Sequence, residues 1–276
     1  MLKVIGKKIK NQTNFKINLR KKQMKKIKLT EIDDNNSSTA IFDKTELFEA
    51  VSVSTKEGED AFTDASFEQM ANDEHINIFD FGGGNDSRKG LEMLSNFGGD
   101  DFLYIIPVMN SMAGSKNAID TFRLINKPKQ TLFILNNVQN KEDIEKEFIF
   151  WFGSNDLGIL SIYEALEKPK FEIVEYSPIL EISAMSGLTV SELAKFGKLF
   201  GTDAKSEIFK LAEGDKNKFK DLMGKYKQSI LAENFVNSNI PQISKFVKKY
   251  KNIAVCSTKG GVGKTTISSH ILPACF

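Results

Sequence analysis

Cysteine is nearly absent: Cys256 and Cys275 are the only two in 276 residues. Two thiols make neither a disulfide framework nor a zinc-ligand pattern, so the chain is expected to work in a reducing cytoplasm. No uninterrupted apolar run approaches the roughly 18 residues that span a bilayer. The start, MLKVIGKKIK, is basic but lacks the apolar stretch that a secretory signal carries behind its charges. Internal repeats and an interdomain linker are missing as well. What remains is an ordinary globular balance, 41% hydrophobic and 27% charged, in a chain long enough to bury a large core.

Charge is nearly balanced overall, at a formal +2, but not along the chain. Residues 1–28 carry eleven Lys/Arg and no Asp/Glu, which leaves 27 basic against 36 acidic residues, or −9, in the remainder. Residues 1–26 are therefore expected to form a basic, flexible N-terminal segment. Such a segment can be a solvated linker or can contact nucleic acid or anionic lipid.

Short apolar runs punctuate the rest of the chain: KIKLTEIDD (26–34), INIFDFGGGND (76–86), FLYIIPV (102–108), TLFILNN (131–137), FEIVEY (171–176) and NIAVCS (252–257). Helical stretches lie between them at 115–125 and 141–152, and beyond Pro178 the chain reads as helix through 190–200 and 205–234. Residues 35–75 read as polar helix or loop with little periodicity. Apolar runs alternating with helices predict an α/β fold: a mostly parallel sheet flanked by helices on both faces, in a single domain over residues 27–276.

The last run leads into STKGGVGKTT, residues 257–266. Residues 258–265 have the spacing of a P-loop, G-x-x-x-x-G-K-[ST], with Thr258 at the first glycine position. A strand precedes it, and TTISSHIL reads as a first helical turn. In such a loop backbone N–H groups surround phosphates, a lysine holds the β- and γ-phosphates, and a hydroxyl ligates Mg²⁺. Lys264 and Thr265 occupy those two positions.

Lys259 adds a lysine at the other end, giving KGGVGKTT. This resembles the deviant Walker A loop of the ParA/MinD family of ATPases. The resemblance implies a P-loop NTPase fold with ATP and Mg²⁺ as cofactors. It places Lys259, Gly260, Gly261, Val262, Gly263, Lys264, Thr265 and Thr266 around the nucleotide. Lys259 would reach across an ATP-sandwiched homodimer to the partner's nucleotide, and Lys259, Lys264 and Asp33 would be catalytic.

Other segments resemble the same family. KIKLTEIDDNN is similar to its strand ending in D-x-D-P-Q, with Glu31 at the first acid and Asp33 at the water-positioning second. Asp34 and Asn35 replace the Pro-Gln pair, so the register is open by one residue. INIFDFGGGND is similar to a Walker B strand, which makes Asp80 a metal residue with Thr265. FLYIIPV resembles the family strand ending in I-P-V. Asn136, or alternatively Asn137, stands where an asparagine contacts adenine, and residues 176–193 resemble the stretch packed beside the base.

These segments follow the family order only if Phe276 is joined to Met1, with the strand at 252–257 and the glycine loop taken first. That is the order of a circular permutation. It is expected to leave His270–Phe276 as a free, short helix end that stops early at Pro273, at some cost in stability and folding rate. Residues 242–251 would help bridge the original ends.

The resemblance further implies a weakly active ATPase that switches between monomer and ATP-bound dimer in plasmid or chromosome partition. Non-specific DNA and an activating protein would be its partners, in a cytoplasmic, nucleoid-associated setting. Two alternatives stand beside it. One is a relative acting in conjugation or at a membrane, since Ile243, Phe246, Val247 and Tyr250 with interleaved lysines have amphipathic spacing; the other use of that stripe is as core. The second alternative is a degenerate nucleotide-binding adaptor without turnover.

Overall fold

Each of the six apolar runs forms a strand, as expected where both faces of a parallel sheet are covered and no alternation is required. They are β1 (Ile27–Ile32), β3 (Ile76–Phe81), β4 (Phe102–Val108), β5 (Thr131–Val138), β6 (Phe171–Glu175) and β7 (Asn252–Val255). Every residue of β3 and β4 is buried. The computed structural model describes residues 27–35, 37–42, 45–71, 74–96, 101–201 and 203–276, so the basic segment 1–26 lies outside the described residues.

The reading of residues 35–75 as helix or loop is corrected in one respect. They contain a further strand, β2 (Glu49–Val53), which pairs only with β1 and closes one edge of the sheet. Its sequence EAVSV has only exposed and half-buried positions, unlike the buried runs of the sheet centre. Helix α1 (Gly58–Ala71) follows it.

Among the described residues the seven strands make one sheet, in the order β2-β1-β3-β7-β4-β5-β6, and every pairing is parallel. The strand written last thus sits at the centre, between β3 and β4. With α1, helices α2 (Asn85–Asn96) and α3 (Met112–Ile125) cover one face. The other is covered by α4 (Ile179–Ser186), α5 (Val190–Gly197) and α7 (Lys216–Val247), with α6 (Ala204–Ala212) leading into α7. The two faces are packed differently. Phe62, Phe79, Phe81, Phe102, Phe133 and Trp151 make the first largely aromatic, whereas the second is mostly Ile, Leu and Val.

Two helical expectations change. Residues 141–152 form three short turns instead of one helix, with breaks at Asp143 and Phe148. The helix expected over 205–234 is two, split at Gly214, and α7 runs on through Pro241 to Val247. Ile243 and Val247 are fully buried and Phe246 and Tyr250 pack beside them, so the amphipathic stripe is core. No described helix is long and apolar enough to cross a membrane.

The expected free end at the C-terminus is instead buried. Ile267, Ile271 and Leu272 have no exposed surface and Cys275 only 2%, all inserted in the aliphatic core against α7. Ser244 of α7 donates its hydroxyl to the Cys275 carbonyl at 3.0 Å. Pro273 does not end the helix, because a π-turn over Ile267–Ile271 precedes it and the Leu272 N–H bonds back five residues to Ile267. Pro273 then falls in the first turn of Leu272–Cys275, where a missing N–H costs nothing.

Candidate functional site

Strand register decides which side chains can meet. Glu31 pairs with Asp80, and Asp80 with Val255, so β1, β3 and β7 end level with one another. The chain leaves all three at the carboxyl edge of a parallel sheet, where ligands of open α/β folds collect. A cleft of about 160 Å³ opens there, lined by Glu31, Asp33, Ser38, Asp80, the Phe81–Gly83 backbone, Gly260, Gly261, Lys264 and Thr265. Sequence distances of up to 234 residues, from Glu31 to Thr265, are thereby closed.

The glycine loop is held from below on both sides. Ser87 of α2 donates its hydroxyl to the Ser257 carbonyl at 2.6 Å, and the Gly84 N–H reaches the Thr258 carbonyl at 3.1 Å. A Cβ on Gly83 would stand 2.6 Å from the Gly260 nitrogen, so only glycine lets the β3 turn approach the loop this closely. Thr258, at the first glycine position, is tied to α3: its N–H donates to the Thr121 hydroxyl at 3.0 Å. That bond gives the threonine a fixed place beside the loop.

Asn136 ends up beneath the loop. Strand alternation places buried Asn136 on the same face as Ile134, and a register shift follows it, with Asn137 at φ 66°. Its Nδ2 donates to the Val262 carbonyl at 3.1 Å, and a Cβ on Gly263 would lie 2.1 Å from that nitrogen. Asn136 therefore positions the loop, and it is not among the residues lining the cleft. Val262 is buried, Thr266 is half-buried in the first turn after the loop, and Asn137 is exposed.

Lys264 is 8% exposed, and its Nζ donates to the Lys259 carbonyl at 3.1 Å, folding the loop around the ammonium. The Lys259 side chain stands exposed at the rim. Burial lowers the Lys264 pKa against the opposing pull of Asp80, Asp33 and Glu31. Asp80 is 2% exposed and accepts a bond from Ser268 Oγ at 2.7 Å. Burial raises its pKa to about 6, opposed first by the Ser268 bond and then by Lys264. The cleft thus favours a ligand carrying both charges: an anion would stabilise the ammonium and a cation the carboxylate.

Asp33 faces the same cleft, and its Oδ1 accepts the Asn35 N–H at 2.8 Å. Asp34 points away from it: its carboxylate takes the Thr55 N–H and hydroxyl, each at 2.7 Å, with Lys89 at 3.6 Å. These bonds lower the Asp34 pKa, that to the Thr55 backbone most. Of the two acids at the open register, Asp33 lines the cleft and Asp34 does not.

Two residues at the site carry more than the sequence pattern assigns. Glu31, 3% exposed, binds the next turn: Oε1 accepts from the Ser38 N–H and hydroxyl, and Oε2 from the Thr39 N–H and hydroxyl at 2.9 and 2.8 Å. Ser38 in turn lies 3.1 Å from the Thr265 hydroxyl. The acidic strand end followed by Ser-Ser-Thr is the only sequence hint of this arrangement.

Among the described residues, no group of three His, Cys, Asp or Glu side chains could hold a metal by itself. A hard cation here would take hydroxyls, outer carboxylates, water and ligand phosphates, which is how Mg²⁺ is usually held. The residues present fit that ion. Cys256 lies under the loop with its thiol pushed up to about 12 by burial, which keeps it inert. Comparison with protein-family models, with curated proteins and with solved structures finds no match to this chain.

Proposed function

We propose that the chain is a Mg-ATP-dependent switch ATPase of ParA/MinD type, a P-loop protein in circularly permuted order, acting in plasmid or chromosome partition. One observation carries this reading: Lys264, Thr265, Asp80 and Asp33, drawn from both ends of the sequence, line a single cleft beneath a glycine loop. Phosphoryl transfer needs little covalent help from a protein, so positioning and charge neutralisation are the whole task.

Lys264 exchanges the Lys259 carbonyl for phosphate oxygens, which are stronger acceptors because they are charged. Backbone N–H groups of residues 260–265 bind the remaining phosphate oxygens. Mg²⁺ would supply further charge neutralisation when bound; Thr265 would offer it a hydroxyl, and Asp80, which holds Ser268, would orient its outer shell. Asp33 orients the attacking water. Lys259, exposed at the rim, reaches the nucleotide of a second copy and couples ATP to dimerisation. Non-specific DNA is the proposed surface on which the switch works, with salt-sensitive binding, and a partner protein stimulates turnover.

ATP hydrolysis by the wild type and by Lys264→Ala, each with and without DNA, tests this reading. A slow wild-type rate that DNA or a partner increases, lost in the variant, is the expected result. Equal rates in both proteins point to a nucleotide-binding adaptor instead.

A further inference from the structure

Resting on the Mg-nucleotide reading of the cleft, we infer that Ser38 is a second protein ligand of the divalent cation, paired with Thr265 and held in place by Glu31. The two hydroxyl oxygens lie 3.1 Å apart on the cleft wall. Adjacent ligands of an octahedral Mg²⁺, each about 2.0–2.1 Å from the metal, are separated by about 2.9 Å. The pair therefore already has the spacing of one edge of the coordination octahedron.

The protons are disposed to match. A hydroxyl that ligates a metal must direct a lone pair at it and send its proton elsewhere. Ser38 donates to Glu31 Oε1, so it is the acceptor in its contact with the Thr265 hydroxyl. The Ser38 hydroxyl is thus backed by a buried carboxylate, and Glu31 is itself paired with buried Asp80 across β1 and β3. This is a second shell of the kind that fixes ligand orientation and raises basicity.

The segment bearing Ser38 is clamped at both ends to the helical turns 264–271 that follow the glycine loop. At one end stands the Ser38–Thr265 contact. At the other, Phe42 is buried edge-on against His270, with ring centroids 5.1 Å apart. Glu31 adds the four bonds to Ser38 and Thr39. Glu31 is accordingly a positioning residue: it touches no substrate in this scheme and acts through Ser38.

Mn²⁺ in place of Mg²⁺ makes the coordination measurable by electron paramagnetic resonance, in the presence of ADP. Ser38→Ala is expected to weaken Mn²⁺ affinity about ten-fold and Glu31→Gln by a similar factor, with metal-free ADP affinity unchanged. Ser38→Cys supplies a softer ligand and is expected to raise the Cd²⁺-to-Mg²⁺ preference at least ten-fold. Circular dichroism of each variant reports whether it is folded. The inference is overturned if Ser38→Ala and Ser38→Cys bind both metals as the wild type does while Thr265→Ala loses them. That result leaves the nucleotide reading intact. Wild-type protein that binds neither ADP nor Mn²⁺ overturns both together.

Discussion

The carboxyl edge of β1, β3 and β7 and the flank built on β5 and β6 belong to one sheet but are made of different material. The flank packs rings: buried Trp151 lies on buried Phe133 at 4.9 Å, and half-buried Phe152, Tyr163 and Phe171 stack edge-on at 5.4–5.6 Å. The cleft edge buries Glu31, Asp80 and Lys264, each less than a tenth exposed. Apolar burial stabilises a fold, whereas burying charge opposes it unless partners compensate. The flank therefore adds stability, and the cleft edge costs some of it.

The sharpest way to separate the two is a large-to-small change in the flank. Trp151 is fully buried, so Trp151→Ala is expected to cost about 3–5 kcal/mol in urea unfolding. Nucleotide affinity of the fraction still folded should not change. A loss of affinity without a loss of stability would show that the regions are not separable in this way.

Asp80→Asn should do the reverse. It keeps an acceptor for Ser268 and removes a carboxylate that burial disfavours, so stability at pH 7 should rise by up to about 3 kcal/mol while Mg²⁺-dependent binding falls. The sign depends on pH. Asp80 has a folded pKa of about 6 against 3.8 unfolded, so it holds its proton in the folded state across that window. Stability contributed there falls as pH rises from 3.8 to about 6.

His270 has the opposite sign. Its Nδ1 is buried without a partner, and burial lowers its pKa from 6.5 to about 4. The unfolded state takes up the proton first, so stability falls as pH drops from 6.5 to about 4. The two groups offset one another over most of this range in the wild type. The advantage of Asp80→Asn over wild type should therefore shrink to near zero by pH 4, read from urea midpoints at pH 4, 5, 6 and 7. A pH-independent advantage would mean that Asp80 ionises normally in the fold.

Gly83→Ala gives the smallest expected stability change, about 1–3 kcal/mol, because its Cβ would press on the Gly260 backbone 2.6 Å away. Its effect should fall on the loop, seen as weaker ADP binding. Unchanged binding would show that the contact between the β3 turn and the glycine loop does not shape the site.

The same contrast governs what the sequence makes legible. Six strands announce themselves as short apolar runs: the inner five because parallel strands covered on both faces are mostly apolar, and the edge strand β6 because Phe171, Ile173 and Val174 remain in it. β2, at the other edge, does not, since EAVSV carries only a weak apolar pattern. Pro273 misleads because its usual meaning, the end of a helix, is cancelled by a preceding π-turn that depends on burial of Ile267 and Ile271. At the site, Lys264, Thr265, Asp80 and Asp33 are visible because glycine loops and strand-end acids are distinctive. Asn136 is visible as a residue, but its partner Val262 lies 126 residues away and no local pattern marks the bond between them. Ser38 is barely visible, because Ser-Ser-Thr after an acidic strand end is a weak hint and its partner Thr265 is 227 residues away.

Everything proposed for the cleft at the ends of β1, β3 and β7 depends on its binding the phosphates of a Mg-nucleotide through Lys264. Calorimetric titration of ATP with Mg²⁺ into the wild type and Lys264→Ala decides this. Saturable one-to-one binding by the wild type is expected, weakened at least a hundred-fold in the variant, with both proteins equally folded. Equal affinity in the two, or no binding by a folded wild type, would contradict it.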